Sequence, residues 1–274
     1  MRNIVIGIVL AALALSSCNS NGKKAQQRLD MAKAMYERAE YAAAKMQIDS
    51  IRILYPKEVS ALKGGLILMR QVEQKESERN IAFCDSMMPI KIAQLPELEK
   101  NFVYEIDSAY NNIGKFVPKI HTVERNILRS YVRAGVYASG EMYLASVYFG
   151  KNAINHTGMK LSVGDTFVET PSIPYDGGLN FHFTDLGNVT EVVTYMGEKC
   201  EAAADFIYNN QNARIRVAYT GGKPCILYLG DGDKQAIVDT YKLAVTLSDI
   251  DRMKTEKIRS MKKLAYLKHK LGEE

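Results

Sequence analysis

The chain has 274 residues, of which 47% are hydrophobic and 24% charged, a balance typical of a folded protein of one or two domains. Its 36 Lys and Arg residues and 31 Asp and Glu residues give a net charge of +5, which is too small to indicate nucleic-acid binding. Cysteine and histidine spacings typical of zinc sites are missing, so we expect neither a bound metal nor a cofactor.

The first 17 residues predict a secretory signal peptide. Arg2 supplies a positive charge, residues 4–15 form an apolar run, and small residues follow. A membrane-spanning helix needs about 20 apolar residues, so this run is too short for a stable transmembrane anchor. Cleavage after residue 17 would remove Arg2 and lower the net charge from +5 to about +4.

The sequence LSSC at residues 15–18 resembles the lipobox of bacterial lipoproteins. This resemblance implies a diacylglycerol group on the thiol of Cys18, cleavage before Cys18, and acylation of the new amino terminus. Two or more acyl chains would make attachment to the membrane durable. Asn19 is not the aspartate that retains many lipoproteins in the inner membrane, and residues 19–24 do not resemble an acidic surface-export tag. The resemblance therefore implies the outer membrane, with the protein facing the periplasm and surface exposure left open; the alternative is an ordinary signal peptide.

Three helices are predicted in the first third of the chain. Apolar residues at helical spacing indicate helices over residues 23–39, 41–55 and 59–93, and Pro56 ends the second. In the second helix, the sequence resembles a tetratricopeptide repeat, whose signature places an aromatic, an alanine, a large apolar residue, a small apolar residue and a proline at this spacing. The residues in this series are Tyr41, Ala44, Ile48, Ile51 and Pro56.

The tetratricopeptide resemblance covers about 34 residues and does not recur along the chain. It departs from the repeat at the turn, where Arg38 and Ala39 replace the usual glycine. One helical hairpin cannot bury its apolar face alone. The resemblance therefore implies that a further helix covers the hairpin.

The middle of the chain predicts β-structure. Strands over residues 129–138 and 142–149 flank a turn at Gly140, and strands over residues 215–219 and 225–229 flank a turn at Gly221 and Gly222. Further strands are predicted over residues 166–169, 180–184 and 189–196, and a helix over residues 199–208. Short strands at this spacing indicate a small antiparallel sandwich or a partly open barrel.

A long helix is predicted over residues 234–271, with Asp231 and Asp233 at its start. We expect it to pack back on the N-terminal helices, because it matches the third helix in length. The predicted fold class is therefore α+β. The predicted regions are a signal peptide over 1–17, a lipid anchor, linker and helical region over 18–117, a β-rich domain over 118–229 and a C-terminal helix over 230–274.

Arginine and tyrosine residues alternate with apolar residues on two of the predicted strands. Side chains in a strand alternate between its two faces, so each strand would carry a basic face. If both faces lie on one side, they form a surface that binds a protein partner or an acidic glycan through carboxylates. The alternative without a binding function is that the arginines are solvated and lie beside cross-strand aromatic pairs. The candidate residues are Arg129, Tyr131, Arg133, Tyr137, Arg214 and Arg216.

The cysteines that follow Cys18 leave alternatives open. Cys84, Cys200 and Cys225 are an odd number, so at least one thiol has no intramolecular partner. A Cys200–Cys225 disulfide is one arrangement that the sequence permits.

The leading functional prediction is a lipid-anchored protein of the cell envelope that acts as a binding or scaffolding module. The chain also loosely resembles uncharacterised Bacteroidetes envelope lipoproteins that begin with a helical hairpin, which implies a class but no activity. One alternative is an envelope hydrolase whose site contains His156, His182 and Asp185, and His121 with Glu124 is a further pairing. Another is a subunit of an outer membrane complex, suggested by the repeat-like hairpin.

Overall fold

The computed structural model describes the backbone of residues 2–106 and 114–272 and the side chains of residues 20–106 and 114–272. Five α-helices and ten strands lie in these residues, and the fold class is α+β, as predicted. The helices are α1 (Arg2–Glu37), α2 (Tyr41–Leu54), α3 (Val59–Glu99), α4 (Glu198–Asn209) and α5 (Asp231–Leu271). The strands are β1 (Phe102–Glu105), β2 (Lys115–Pro118), β3 (Tyr131–Tyr137), β4 (Met142–Gly150), β5 (Gly158–Val163), β6 (Thr166–Glu169), β7 (Asn180–Asp185), β8 (Asn188–Met196), β9 (Arg216–Thr220) and β10 (Cys225–Tyr228).

The chain divides into two compact units. The helical unit contains Met1–Met87 and Lys254–Glu274, and the β unit contains Met88–Met253. The boundaries between them fall inside α3 and α5. Cys18 belongs to α1, but its side chain lies outside the described residues.

The helical unit has its own apolar core. Leu29 of α1 and Ile48 and Ile51 of α2 are buried together with Leu68 of α3. The third helix therefore covers the apolar face of the α1–α2 hairpin, as the repeat-like sequence predicts. At the turn between α1 and α2, Ala39 adopts a φ of 58°, which is the left-handed conformation that a glycine adopts more easily.

The C-terminal part of α5 packs on the helices of this unit, as predicted. Leu267 is buried, and lysines of α5 form ion pairs with carboxylates of α3. These pairs are Lys263–Glu73, at 3.3 Å, and Lys257–Asp85. Exposed ion pairs contribute little to stability, so the buried leucine carries more of this contact than the charges do.

The β unit consists of two antiparallel sheets. A six-stranded sheet has the order β1-β2-β3-β4-β8-β7, and a four-stranded sheet has the order β10-β9-β5-β6. The hairpins β3–β4 and β9–β10 form at the predicted turns. The two sheets share one apolar core, and they do not close into a barrel.

The main core of the β unit lies between the inner faces of the two sheets and is completed by α4 and the N-terminal part of α5. Alternate residues of each strand point into it, as the period of two requires. Fully buried members from the six-stranded sheet are Val132, Ala134, Val136, Leu144, Val193 and Tyr195. Those from the four-stranded sheet and the helices include Met159, Leu161, Val217, Ile207 and Ile237.

Three of the ten described strands were not predicted from the sequence. β1 and β2 begin before residue 118, where the β-rich domain was predicted to begin, and no strand was predicted at the position of β5. Helix α3 continues to Glu99, beyond its predicted end, with Pro89 and Pro96 inside it. Each proline removes one helical N–H donor but does not end the helix here.

The three described cysteines are free thiols, so the suggested Cys200–Cys225 disulfide is not formed. The Cys200 thiol donates hydrogen bonds to the carbonyls of Met142 and Gly197, at 3.4 and 3.2 Å. Burial raises the pKa of Cys200 to about 11. This thiol is therefore unreactive at neutral pH.

The β9–β10 turn packs closely against residues 154–155 of the β unit. A Cβ atom on Gly222 would lie 2.0 Å from the carbonyl oxygen of Ile154 and 2.5 Å from that of Asn155. Because both obstacles are backbone atoms, we expect Gly222→Ala to lower the free energy of unfolding by about 1–3 kcal/mol or more. Urea denaturation followed by circular dichroism measures this loss.

The matched control for this substitution is Gly178→Ala. A Cβ atom there would meet only the Asp176 carboxylate oxygen, at 3.7 Å. We expect this variant to unfold at the same urea concentration as the wild type. Equal stability of the two variants would contradict the close packing of the β9–β10 turn on residues 154–155.

Candidate functional site

The predicted Arg/Tyr face of β3 exists on the outer face of the six-stranded sheet. Val132, Ala134 and Val136 enter the core, so Tyr131 and Arg133 point the other way. Tyr137 shares their face and contacts the ring of Tyr143, with 5.9 Å between the ring centres. Tyr131 is buried there, whereas Arg133 and Tyr137 are half-buried.

Arg129 is engaged in a structural ion pair rather than free for a partner. Its guanidinium donates to both carboxylate oxygens of Asp233, at 2.8 and 2.6 Å, and to the Asn126 side chain at 2.6 Å. Burial alone would raise the pKa of Asp233, but the hydrogen bonds from His121 and Arg129 outweigh burial and hold it below its ordinary value. Arg129 thereby ties the segment before β3 to the first turn of α5.

His121 also serves this junction. It is fully buried, and its Nδ1 accepts the backbone N–H of Ala134 at 3.2 Å, so its Nε2 donates to Asp233 at 3.2 Å. The suggested pairing of His121 with Glu124 is wrong, because Asp233 is the carboxylate that the ring contacts.

Arg214 and Arg216 do not join the surface formed by β3. Arg216 lies on β9 of the four-stranded sheet, where Val217 and Tyr219 point into the core and Arg216 points outward. The guanidinium of Arg214 stacks on the ring of Tyr228, at 3.9 Å from its centre. The two sheets share one core between their inner faces, so their outer faces lie on opposite sides of the sandwich. The prediction of a single Arg/Tyr surface is therefore wrong.

A chain of hydrogen bonds in the core resembles the order of groups in a hydrolytic triad. Glu191 bonds to Nδ1 of His156 at 2.8 Å, and Nε2 of His156 bonds to the Ser146 hydroxyl at 2.9 Å. The ring of His156 stacks on Tyr219, and the hydroxyl of Tyr195 lies 3.2 Å from that of Ser146. A serine, a histidine and a carboxylate in this order can activate a nucleophile, provided that a substrate reaches the serine.

The network is buried, so a substrate cannot reach the serine. Ser146, His156 and Glu191 are 0%, 1% and 3% exposed. The carboxylate of Glu191 also accepts the backbone N–H groups of Ile154, Asn155 and His156, at 2.7, 2.8 and 3.1 Å. The network therefore fastens residues 154–156, which lie between β4 and β5, to β8.

The three residues suggested for a hydrolase do not assemble into one site. His156 belongs to the buried network just described. His182 lies opposite Glu191 on the edge strand β7, and its exposed ring packs near Tyr175 at 5.0 Å between centres. Asp185 is an odd-numbered residue of the same strand and lines a cavity on the opposite, outer face.

That cavity, which we call the outer-face pocket, has a volume of about 200 Å³. Its floor is formed by Tyr131, Val147 and Val192, which form a small buried cluster with Phe181 packed against it. Arg133 lines the pocket, and its Nε is buried without a hydrogen-bond partner in the structure. Residues 123–128 form one side of the pocket, and the β7–β8 hairpin forms the other.

Exposed apolar side chains surround the outer-face pocket. Leu186 is 93% exposed and Leu128 is 73% exposed. Val123, Ile127 and Phe183 are also more than half exposed. Contiguous apolar surface of this kind marks interaction sites on folded proteins. Arg133 and Tyr131 were predicted from the sequence as binding residues, but these apolar residues were not. A bulky leucine at position 186, before Gly187 in the turn between two alternating strands, was the feature of the sequence that could have indicated them.

A larger cavity, of about 450 Å³, lies beside α4 and α5 and is lined by several carboxylates. Two of these carboxylates have partners: Asp249 pairs with Lys91 and Arg252, and a hydrogen bond to Asp205 raises the pKa of Tyr241 to about 12. Within the described ranges, no group of three His, Cys, Asp or Glu residues is arranged to hold a metal ion. Among the described residues, the buried side-chain nitrogen without a hydrogen-bond partner is Arg133 Nε, which lines the outer-face pocket and not this cavity.

The buried network predicts an acid-sensitive step in stability. Burial alone would raise the pKa of Glu191, but hydrogen bonds from Asn155, His156 and Ile154 outweigh it, so the pKa lies below the ordinary value of 4.5. A carboxylate with a lowered pKa contributes stability above pH 4.5 and loses it as the pH falls through the folded-state pKa. We expect Glu191→Gln to destabilise the protein at pH 7 by about 1–3 kcal/mol and to flatten the loss of stability in acid.

Urea denaturation at a series of pH values between 7 and 3 measures both effects. Glu201→Gln is the control, because Glu201 is an exposed residue of α4. We expect the control to keep the wild-type stability at pH 7. A Glu191→Gln variant that matched the wild type at every pH would contradict the role of this carboxylate.

Comparisons with models of protein families, with curated proteins and with solved structures find no match to this chain. Among the residues that the structure describes, no helix combines the length and the apolar character needed to cross a membrane. The function proposed below therefore rests on this chain's own residues.

Proposed function

We propose that this chain is a lipid-anchored protein of the bacterial cell envelope whose β unit acts as a binding module. The observation that supports binding is the outer-face pocket, where exposed apolar side chains surround a buried and unpaired N–H group of Arg133. The resemblance of residues 15–18 to a lipobox supports the anchor. We place the protein in the outer membrane, facing the periplasm, on the same resemblance.

An envelope hydrolase remains the second candidate. The order of Ser146, His156 and Glu191 in the core favours it, because the same three groups form a nucleophile, a base and an orienting acid in hydrolases. Their burial argues against it, since a substrate carbonyl must reach the serine oxygen. Binding is the better supported function, because the outer-face pocket is open to partners and the network is not.

The lipid anchor predicts a mature protein that begins at Cys18 and carries acyl chains on that residue. Intact-mass spectrometry of the protein from its native membrane should show a mass above that of the polypeptide. We expect Cys18→Ser to remove the added mass and to shift the protein out of the membrane fraction, because the hydrophobic attachment is lost.

Cys225→Ser is the matched control, because it also replaces one free thiol and should leave acylation and fractionation unchanged. An unmodified Cys18 in the wild-type protein, or an uncleaved leader, would overturn the anchor.

The binding role predicts a partner at the outer-face pocket. A photo-crosslinking amino acid at position 186 is fully accessible and should form a discrete adduct in cells, because Leu186 lies at the edge of the pocket. The control position is Phe167, which is exposed on β6 of the other sheet. Equal crosslinking from both positions, or an absence of adducts from position 186, would contradict a binding role for this surface.

A further inference from the structure

We propose that the outer-face pocket binds the carboxyl-terminal apolar residue of a partner polypeptide, with Arg133 receiving the terminal carboxylate. This inference rests on the proposed binding function and adds the chemistry of the ligand. Four features of the pocket support it: an arginine without a carboxylate partner among the described residues, a small apolar volume, a wide apolar rim and an unusual turn.

The first feature is the electrostatic state of Arg133. Its Nε is buried without a hydrogen-bond partner, its guanidinium interacts with the hydroxyl of Tyr131, and the residue as a whole is half-buried. Asp185 also lines the pocket, but within the described residues Arg133 forms no ion pair with it or with any other carboxylate. An arginine fork matches the two oxygens of a carboxylate, so the pocket is complementary to an anionic ligand of that shape.

The second feature is the size and lining of the pocket. Sites for drug-sized ligands span about 300–1,000 Å³, whereas this pocket has about 200 Å³. Its floor is apolar, with Val147 and Val192 beside the ring of Tyr131. The volume therefore suits one bulky apolar side chain together with a carboxylate. A carboxyl-terminal residue carries both groups on one Cα atom, and the chain needs to enter the pocket but not to leave it.

The third feature is the exposed apolar rim, which favours a polypeptide ligand over a small free acid. Leu186, Leu128 and Phe183 extend apolar surface beyond the cavity itself. A small acid that filled the cavity would leave these side chains in water. The residues preceding the terminus of a polypeptide would cover them, which places the apolar surface of the rim in contact with the partner.

The fourth feature is the turn that carries Leu186. Leu186 and Gly187 have φ values of 46° and 74°, as in the two-residue hairpin turns that favour asparagine and glycine. A leucine at the first position is conformationally unfavourable and does not enter the core, since its side chain is almost fully exposed. Contact with a partner accounts for a leucine at this position.

The test uses the full-length protein in detergent and fluorescein-labelled hexapeptides with the sequence Ser-Gly-Ser-Gly-Ser-Phe. Fluorescence anisotropy compares the peptide with a free carboxyl terminus and the same peptide as its carboxyl-terminal amide. We expect the free acid to bind at least tenfold more tightly than the amide. Equal affinities, or no binding of the free acid, would overturn the inference.

Three variants locate the binding. Arg133→Gln should weaken binding of the free acid at least tenfold, whereas the matched control Arg214→Gln, just before β9 of the other sheet, should leave it unchanged. Leu186→Asn should weaken binding at least threefold without lowering thermal stability, because asparagine suits the turn. This variant keeps the test decisive if Arg133→Gln proves unstable. Wild-type affinity in the Leu186→Asn protein would show that the peptide binds elsewhere and would overturn the proposal.

Competition with 3-phenylpropionate tests whether the pocket prefers a polypeptide to a small free acid. We expect this small acid to compete at least tenfold less effectively than the unlabelled hexapeptide, and equal competition would overturn that preference. If crosslinking from position 186 persists while the hexapeptide fails to bind, the ligand chemistry is wrong and the binding function stands. If both fail, the binding function is wrong as well.

Discussion

The buried carboxylate of Glu191 is the constraint on which the arrangement of the two sheets depends. Moving a carboxylate out of water costs several kcal/mol, and hydrogen bonds to a charged group return about 1.5–3 kcal/mol each. Glu191 accepts four such bonds, three of them from the backbone of Ile154, Asn155 and His156. Those residues connect β4 of one sheet to β5 of the other. The groups that satisfy the buried charge therefore also fix where the second sheet begins.

The same strands that close the core also build the outer-face pocket. Ser146 and Glu191 point inward from β4 and β8, and their neighbours Val147 and Val192 point outward into the pocket floor. A shift of one residue in the pairing of these strands would exchange the two sets. The polar network in the core therefore specifies the register that keeps the pocket apolar. The backbone of Arg133 is held in the same register, because it lies between Val132 and Ala134, which are both fully buried.

The elements that depend on local sequence could be predicted. Apolar residues at helical spacing predicted α2 and the long α5, and glycines in turns predicted the β3–β4 and β9–β10 hairpins. β1 has four residues and β5 begins with a glycine, so neither shows a clear alternation. The separation of Arg216 from Arg133 of β3 depends on which sheet each strand joins, and alternation does not carry that information. The role of Glu191 could be suspected from a charged residue inside an apolar strand, but its donors lie more than 30 residues away.

Backbone conformation separates Leu186 from the other unusual positions. Among the described residues, three that are not glycine have a positive φ: Ala39, Asn155 and Leu186. Asparagine tolerates this conformation, and Ala39 is a small residue in the tight turn between α1 and α2. Leu186 has neither explanation, and it adds exposed apolar surface to a strained backbone. Proteins break local rules chiefly at functional sites. The proposed partner would bury this leucine, and the apolar surface removed from water would offset the unfavourable backbone of the turn.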